Sequence, residues 1–182
     1  TWAGVSKSYV KGNVDLSNGD TGDIPKFSPY VGSEIYLLEG STLKLGINSA
    51  INFNVVIYIA NNAQLLTDDL LKVNASSKVY NHGTISVGTF EVNTESFLYN
   101  VGKLETTGSV NVESNNSHIV NDGSITSPTV QVKAGAVLNN ADWTVTGTTI
   151  VTSNNSGWVN NGHWTTKKYA YTGGSVNVIN KC

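Results

Sequence analysis

The 182-residue chain contains no Arg and no Met, and its single Cys stands at the last position, Cys182. Without Arg the chain has no bidentate phosphate clamps, and one Cys cannot close an intrachain disulfide. Charged residues make up only 13% of the chain, the net charge is -2 and no basic run occurs, which argues against nucleic-acid binding. The longest apolar run, residues 55–60, has the length of a strand and is too short for a membrane span.

The abundant residues are those of strands and tight turns. The chain has 23 Asn and 18 Gly, and Val, Ser and Thr are also frequent. Asn and Gly favour turns, and β-branched residues favour strands, so this composition predicts an all-β protein with many turns. No segment shows the apolar 3.6-residue period of a helix. Nothing in the sequence calls for a cofactor.

One landmark recurs along the chain: two apolar residues, then Asn, then often any residue and Gly, as in Val79-Tyr80-Asn81-His82-Gly83. Starting from Asn61, a degenerate copy, the steps between these Asn residues are 20, 19, 21, 18, 21 and 20. Three short strands fit into each period, which is too short for a propeller blade but suits one rung of a parallel β-helix. The rule for parallel crossovers predicts a right-handed winding.

The recurring Asn predicts a hydrogen-bonded ladder inside the β-helix. Equivalent residues of successive rungs lie about 4.8 Å apart, so buried amides in one column can bond to each other along the axis. The alternative is that each Asn supplies left-handed backbone at a turn. The predicted ladder consists of Asn81, Asn100, Asn121, Asn139, Asn160 and Asn180.

Residues 1–32 do not follow the period and contain two of the three Pro residues. Because an open solenoid end must be covered, they are predicted to form an N-terminal cap. Residues 33–182 are predicted to form the β-helix, with the natural protein expected to continue past Cys182.

The candidates for catalysis and metal binding are few. Glu91 and Glu113 are the nearest approach to paired carboxylates on adjacent rungs, but two solvated Glu side chains are the simpler interpretation. The three His residues are scattered, and no nucleophilic triad can be assembled, so the sequence predicts no enzyme and no metal site. A weak calcium candidate is the acidic loop with Asp15, Asp20 and Asp23.

Aromatic side chains are the stronger candidates for binding. Trp143 and Trp164 stand in the place of apolar residues of earlier rungs, which favours a core position and leaves an outward platform for sugar rings as the alternative. The residues predicted to bind a ligand are Trp158, Trp164, Tyr169 and Tyr171.

A second pattern is the residue before each Asn, which lies on the opposite face of a strand. If the Asn points inward, these residues form an outward apolar stripe that could contact another domain or subunit. Local twist that buries both is the alternative. The stripe includes Tyr80, Tyr99, Val120 and Leu138.

The segment Val31–Leu45 and the repeated Tyr-Asn-x-Gly and Val-Asn-x-Gly units from Val79 to Gly162 resemble β-helical cell-adhesion surface proteins of the Bacteroides type. These often end in an LruC-type domain, for which this chain has no counterpart. The resemblance covers roughly residues 30–180 and implies an exported, surface-anchored protein. It carries no functional residues over.

Together these observations predict a bacterial cell-surface adhesin or its stalk, extracellular and non-catalytic, that binds glycans or matrix protein. One alternative is a polysaccharide lyase or glycoside hydrolase, and a second is a passive structural spacer.

Overall fold

The computed structural model describes residues 6–18, 27–152, 155–173 and 177–181, and its regular elements are all β-strands. None of the described segments contains a helix that could cross a membrane. The strands are β1 (Lys7–Val10), β2 (Asn13–Asp15), β3 (Glu34–Leu37), β4 (Thr42–Lys44), β5 (Ser49–Ile51), β6 (Val56–Ile59), β7 (Gln64–Val73), β8 (Lys78–Asn81), β9 (Thr84–Val92), β10 (Phe97–Asn100), β11 (Lys103–Thr106), β12 (Ser109–Val112), β13 (His118–Asn121), β14 (Ser124–Val132), β15 (Gly135–Asn139), β16 (Asp142–Thr152), β17 (Ser156–Asn160), β18 (His163–Thr172) and β19 (Asn177–Asn180).

The strands form two long parallel sheets. Sheet A has the order β1-β3-β6-β8-β10-β13-β15-β17-β19. Sheet B has the order β18-β16-β14-β11-β9-β7-β4-β2, with β12 and β5 also paired to its strands. Apart from β5 and β12, which follow other strands of sheet B, chain neighbours alternate between the sheets, so the chain winds as a parallel β-solenoid of about seven turns. The predicted all-β, parallel β-helical fold is confirmed.

Alternation along each strand explains why the chain folds this way. In β8 and β10 the second and fourth residues are buried, while the third is only half-buried. The parallel register places buried residues of one strand beside buried residues of the next. Ile57, Val79 and Leu98 therefore form one continuous inner column. Each rung alone would leave its inner residues exposed, and stacking removes that apolar surface from water.

The predicted Asn ladder is confirmed. Nδ2 of Asn81, Asn100, Asn121 and Asn139 donates to Oδ1 of the ladder Asn in the next rung at 2.7 Å, and Asn160 does so to Asn180 at 2.8 Å. The same amides also donate to backbone carbonyls, so the column is hydrogen-bonded to the chain as well as to itself. None of the ladder Asn has positive φ, so the left-handed turn alternative is wrong.

The corner after each ladder Asn is tight because backbone passes close to backbone. A Cβ placed on Gly102 would collide with the carbonyl oxygen of Gly83, and one on Gly123 would collide with that of Gly102. Glycine at this place therefore lets successive rungs approach each other at the corner between the two sheets.

The N-terminal part differs from the prediction in two ways. Asn61 is not the ladder equivalent: Ile59 pairs with Asn81, so the column below the ladder is apolar. The predicted cap over residues 1–32 is not confirmed, because β1 and β2 lie in register on β3 and β4 as strands of the two sheets. Strands of the solenoid thus stand on both sides of the predicted boundary at residue 33.

A tyrosine stack runs along the outer face of sheet A. The rings of Tyr9, Tyr36, Tyr58 and Tyr80 lie 4.8–5.2 Å apart with interplanar angles of 8–18°. Register fixes the stack, since these residues are direct partners in adjacent parallel strands. The ring faces therefore cover one another, and the ring edges are directed toward solvent.

The hydroxyl of Tyr36 provides a pH-dependent signal. It donates to Glu34 Oε2 at 2.6 Å, and this bond to the carboxylate raises the pKa of Tyr36 to about 12. Because the pKa of Tyr36 is higher in the folded state, its hydrogen bond to Glu34 contributes fully to folding stability below about pH 10, the ordinary pKa of tyrosine. This contribution is lost as the pH rises through about 12 and the hydroxyl ionises. We expect Glu34→Gln to return the pKa of Tyr36 toward about 10.

This shift can be followed by ultraviolet absorbance titration of phenolate. The matched control is Glu105→Gln on sheet B, which should leave the titration curve as it is in the parent protein. Identical curves for the parent and Glu34→Gln would contradict the hydrogen bond.

Candidate functional site

The structure separates the aromatic residues predicted to bind a ligand. Trp158 is 0% exposed and packs between Trp143 and Trp164, with ring centroids 5.0 and 4.9 Å away. Trp143 is buried as well, as its place in the repeat favoured, so Trp143 and Trp158 both belong to the core. The prediction that Trp158 contacts a ligand is wrong, because its ring faces are covered by two other indoles.

Trp164, Tyr169 and Tyr171 lie together on β18, the outermost described strand of sheet B. Register places Tyr169 opposite Thr149 and Tyr171 opposite Val151, both buried, so the tyrosines occupy core positions of the last rung. No described strand follows β18 in sheet B, and Tyr169 and Tyr171 remain 43% and 48% exposed. Trp164 is half-buried and its ring lies 5.6 Å from that of Tyr169. These three remain candidates for ligand contact.

The predicted apolar stripe lies in one outward column of sheet A. Tyr80, Tyr99, Val120 and Leu138 are direct register partners and are half-buried, while the residues on either side of them in each strand are buried. The column extends to Val159 and Ile179, and in the other direction it contains the tyrosine stack. Its residues form a flank for the site described below.

The described carboxylates that were candidates for catalysis or calcium binding form ion pairs or hydrogen bonds with nearby side chains. Glu91 pairs with Lys72 and Glu113 with Lys133, each at 2.9 Å. Asp15 accepts from the backbone and hydroxyl of Ser17. Its proposed calcium partners, Asp20 and Asp23, lie outside the described residues, and within the described ranges no three His, Cys, Asp or Glu side chains form a metal-binding group.

A polar groove of about 500 Å³ follows the glycine corner between the sheets. Its acidic groups are already paired: Asp122 accepts from the Tyr99 hydroxyl and from Asn140, and Asp142 lies 3.2 Å from His163. The carboxylates of Asp122 and Asp142, the strongest hydrogen-bond acceptors in the groove, therefore already have partners within the fold.

A second cavity, of about 610 Å³, lies at the opposite edge of sheet A. It arises from one short corner. The chain takes six residues from Val112 to His118 and six from Val151 to Gly157, but only four from Val132 to Ala136, although these are equivalent points in the register. The two longer corners therefore project beyond the short one and leave a notch between them.

Backbone geometry allows this short corner. Gly135 has a φ of 86°, and a Cβ there would collide with the carbonyl oxygens of Ser117 and Ser114. Only glycine combines this left-handed conformation with so close an approach. Because the next outward residues are Ala136 and Gly157, the floor of the notch has almost no side chain.

We call this cavity the amide notch. It is lined by Asn115, Asn116, His118, Gly135, Ala136, Asn155, Ser156, Gly157 and Asn177. Its four Asn side chains are exposed, and within the described part of the chain none of them has a hydrogen-bond partner. Each amide offers two donors and one acceptor oxygen to a ligand.

The amide notch opens onto the apolar stripe. Leu138 and Val159 follow Ala136 and Gly157 by two residues, so they point to the same face of the sheet. A ligand in the notch would meet the exposed Asn amides on one side and aliphatic side chains on the other. This combination suits a ring that carries hydroxyl groups on its rim and C–H groups on its face.

The notch residues were not among the predicted site residues. A signal for them exists in the sequence, because the step from Asn121 to Asn139 is 18 residues and lies between two steps of 21. A short rung between two long ones implies a recess at a corner. It does not tell which of the three corners is shortened, and that requires the register.

No protein-family model, curated protein or solved structure matches this chain.

Proposed function

We propose that this protein is a non-catalytic binding domain of a bacterial cell-surface adhesin or its stalk, and that it binds a glycan at the amide notch. The observation that carries the proposal is the convergence on one recess of four exposed Asn side chains that have no hydrogen-bond partner among the described residues. The resemblance to Bacteroides-type adhesion proteins supports an extracellular location, and the apolar stripe offers a contact for a neighbouring domain or subunit.

The chemistry of the recess supports the proposal of glycan recognition. Sugar hydroxyls both donate and accept hydrogen bonds, and neutral amides match both roles without requiring a charged ligand. Binding pockets combine such placed polar groups with apolar walls, here Leu138 and Val159. The recess is open and shallow, so we expect modest affinity that multivalent display would raise.

The test uses a substitution that fills the notch without straining the fold. A Cβ on Gly157 meets only the Ala136 Cβ, at 3.8 Å, and the residue lies in a strand, where Val is well accommodated. We expect Gly157→Val to remain folded and to weaken binding at least tenfold on an array of glycans, mucins and matrix proteins.

The control is Thr144→Val, which likewise places a valine at a strand position, here an exposed one of sheet B, at nearly unchanged side-chain volume. It should bind as the parent protein does. Unchanged binding by a folded Gly157→Val protein would remove the notch from the proposal.

Two further results would replace the proposed function. If the folded protein bound nothing on the array, the result would favour a structural spacer over a binding domain. Release of reducing ends or unsaturated sugars from a bound polysaccharide would instead identify an enzyme.

A further inference from the structure

The outer faces of the two sheets differ in polarity. On sheet B the outward positions are mostly polar, and ion pairs join Lys72 to Glu91 and Lys103 to Glu105. On sheet A the outward positions from β6 to β17 are mostly aromatic or aliphatic, and each of these strands is paired on both sides. The larger side chains of this face are Tyr58, Tyr80, Phe97, Tyr99, Leu138 and Val159. A continuous apolar face of this kind marks an interaction surface.

The face of sheet A has a bulky half and a slender half. In the column of the tyrosine stack, β6, β8 and β10 each carry Tyr, whereas β13, β15 and β17 carry Val or Leu. Over the same strands, the neighbouring outward column changes from Val56, Lys78 and Phe97 to His118, Ala136 and Gly157. The change falls between β10 and β13, so the face is complementary in shape to a copy of itself turned end for end.

We propose that two copies of this chain pair face to face through sheet A, with antiparallel solenoid axes and a twofold axis between β10 and β13. In this arrangement the bulky half of each copy meets the slender half of the other, as a self-complementary interface requires. It sets Tyr99 opposite Val120, Tyr80 opposite Leu138 and Tyr58 opposite Val159 of the second copy. A twofold axis parallel to the solenoid would instead set bulky half against bulky half.

The face is large enough for a weak but specific dimer. Sheet A has eight strands from β3 to β19 at a spacing of about 4.8 Å, and the shortest of them have four residues, which span about 13 Å. Each copy therefore contributes about 500 Å², and a pair buries about 1,000 Å², which is the lower limit for a specific interface. We expect a dissociation constant in the micromolar range.

Polar groups on the face keep hydrogen-bond partners when water leaves it. The Tyr36 and Tyr99 hydroxyls already donate to carboxylates of their own chain. The exposed Lys78 comes to lie opposite Ala136 of the second copy, the floor of the amide notch, where the Asn side chains offer amide oxygens to its ammonium group.

Pairing through this face also covers the amide notch. Ala136 and Gly157 form the floor of the notch and belong to the slender half. A glycan in the notch and a second copy on the face therefore exclude each other. This consequence rests on the proposed function, whereas the pairing itself does not.

Sedimentation velocity of the full chain between about 1 and 200 µM tests the pairing. Reductant keeps Cys182 from joining two chains. We expect a monomer–dimer equilibrium, and Val120→Lys should raise its dissociation constant at least tenfold because pairing would bury an ammonium group beside the twofold axis. Leu138→Lys should act in the same way. The matched control Thr126→Lys, at a half-buried outward position of sheet B, should stay within twofold of the parent protein.

Distances between spin labels test the symmetry. In a Cys182→Ser background, antiparallel pairing sets labels on Lys11→Cys more than about 40 Å apart and labels on Val101→Cys less than about 25 Å apart. Both positions are exposed and lie outside the face. Similar distances at the two positions would indicate parallel pairing and overturn the proposed symmetry.

The outcomes separate this inference from the proposed function. A monomer at every concentration would overturn the inference and leave the proposed function intact. A dimer that Val120→Lys and Leu138→Lys do not weaken would use another surface and would overturn it as well. A dimer that behaves as expected but binds no glycan on the array would uphold the inference without the proposed function.

Discussion

Replacing Trp158 by Ala is expected to lower the free energy of unfolding by about 3–5 kcal/mol, the usual loss for a buried Trp. The side chain is 0% exposed and lies between two other indoles, so its removal opens a cavity in the core. Neighbouring strands are held by parallel pairing on both sides and cannot collapse into the space. Chemical denaturation measures the loss.

The control for this prediction is Trp158→Phe. The indole Nε1 of Trp158 is buried and has no hydrogen-bond partner among the described residues, so Phe keeps a ring in place and removes an unsatisfied donor. We expect Trp158→Phe to cost much less than Trp158→Ala. Equal losses for the two variants would show that ring packing is not what Trp158 contributes.

Interrupting the Asn ladder in its middle is expected to have the second large effect. In Asn121→Leu, Oδ1 of Asn139 and the carbonyl oxygen of Asp142 lose their donor, and Nδ2 of Asn100 loses its 2.7 Å acceptor. Buried polar groups left unpaired cost about 1–3 kcal/mol each. The new leucine contacts offset part of this cost, and we expect a net decrease of about 2–4 kcal/mol in the free energy of unfolding.

The matched variant is Asn81→Leu at the end of the ladder. Its neighbour on one side is Ile59, so a leucine there extends an apolar column by one rung instead of separating two amides. We expect roughly half the loss of Asn121→Leu in the same denaturation experiment. A larger loss at Asn81 than at Asn121 would show that separating two amides is not the main cost of interrupting the ladder.

The solenoid could be predicted from the sequence because the residues that recur in its repeat are the ones that join successive rungs. Asn121 holds its phase since its amide must meet the amides above and below, and Gly102 and Gly123 hold theirs because a Cβ would strike the next rung. Such constraints repeat in every rung and therefore appear as a period.

The prediction failed where one residue type replaced another in the same column. Ile59 fills the place that Asn occupies later, and the nearby Asn61 took its role in the alignment of the repeats. Because Asn61 was aligned in place of Ile59, the sequence did not predict that Tyr9, Tyr36 and Tyr58 continue the outward column of Tyr80. Only strand register shows that an apolar and a polar residue are equivalent.

The candidate site could be predicted least. The sequence predicts ligand binding by Trp158, but inward and outward positions in a strand differ by one residue, and its place in β17 is inward. The amide notch depends on the length of one corner and on the absence of side chains at Ala136 and Gly157. Neither feature repeats, so neither contributes to a periodic signal.

The parallel register has a mechanical consequence. The hydrogen bonds that join one rung to the next run along the long axis, so tension applied between the two ends loads them one rung at a time. Each rung that detaches exchanges about 4.8 Å of folded length for about 65 Å of extended chain. A tether built of this fold would lengthen in steps and dissipate load gradually, while the remaining rungs keep their amide column intact.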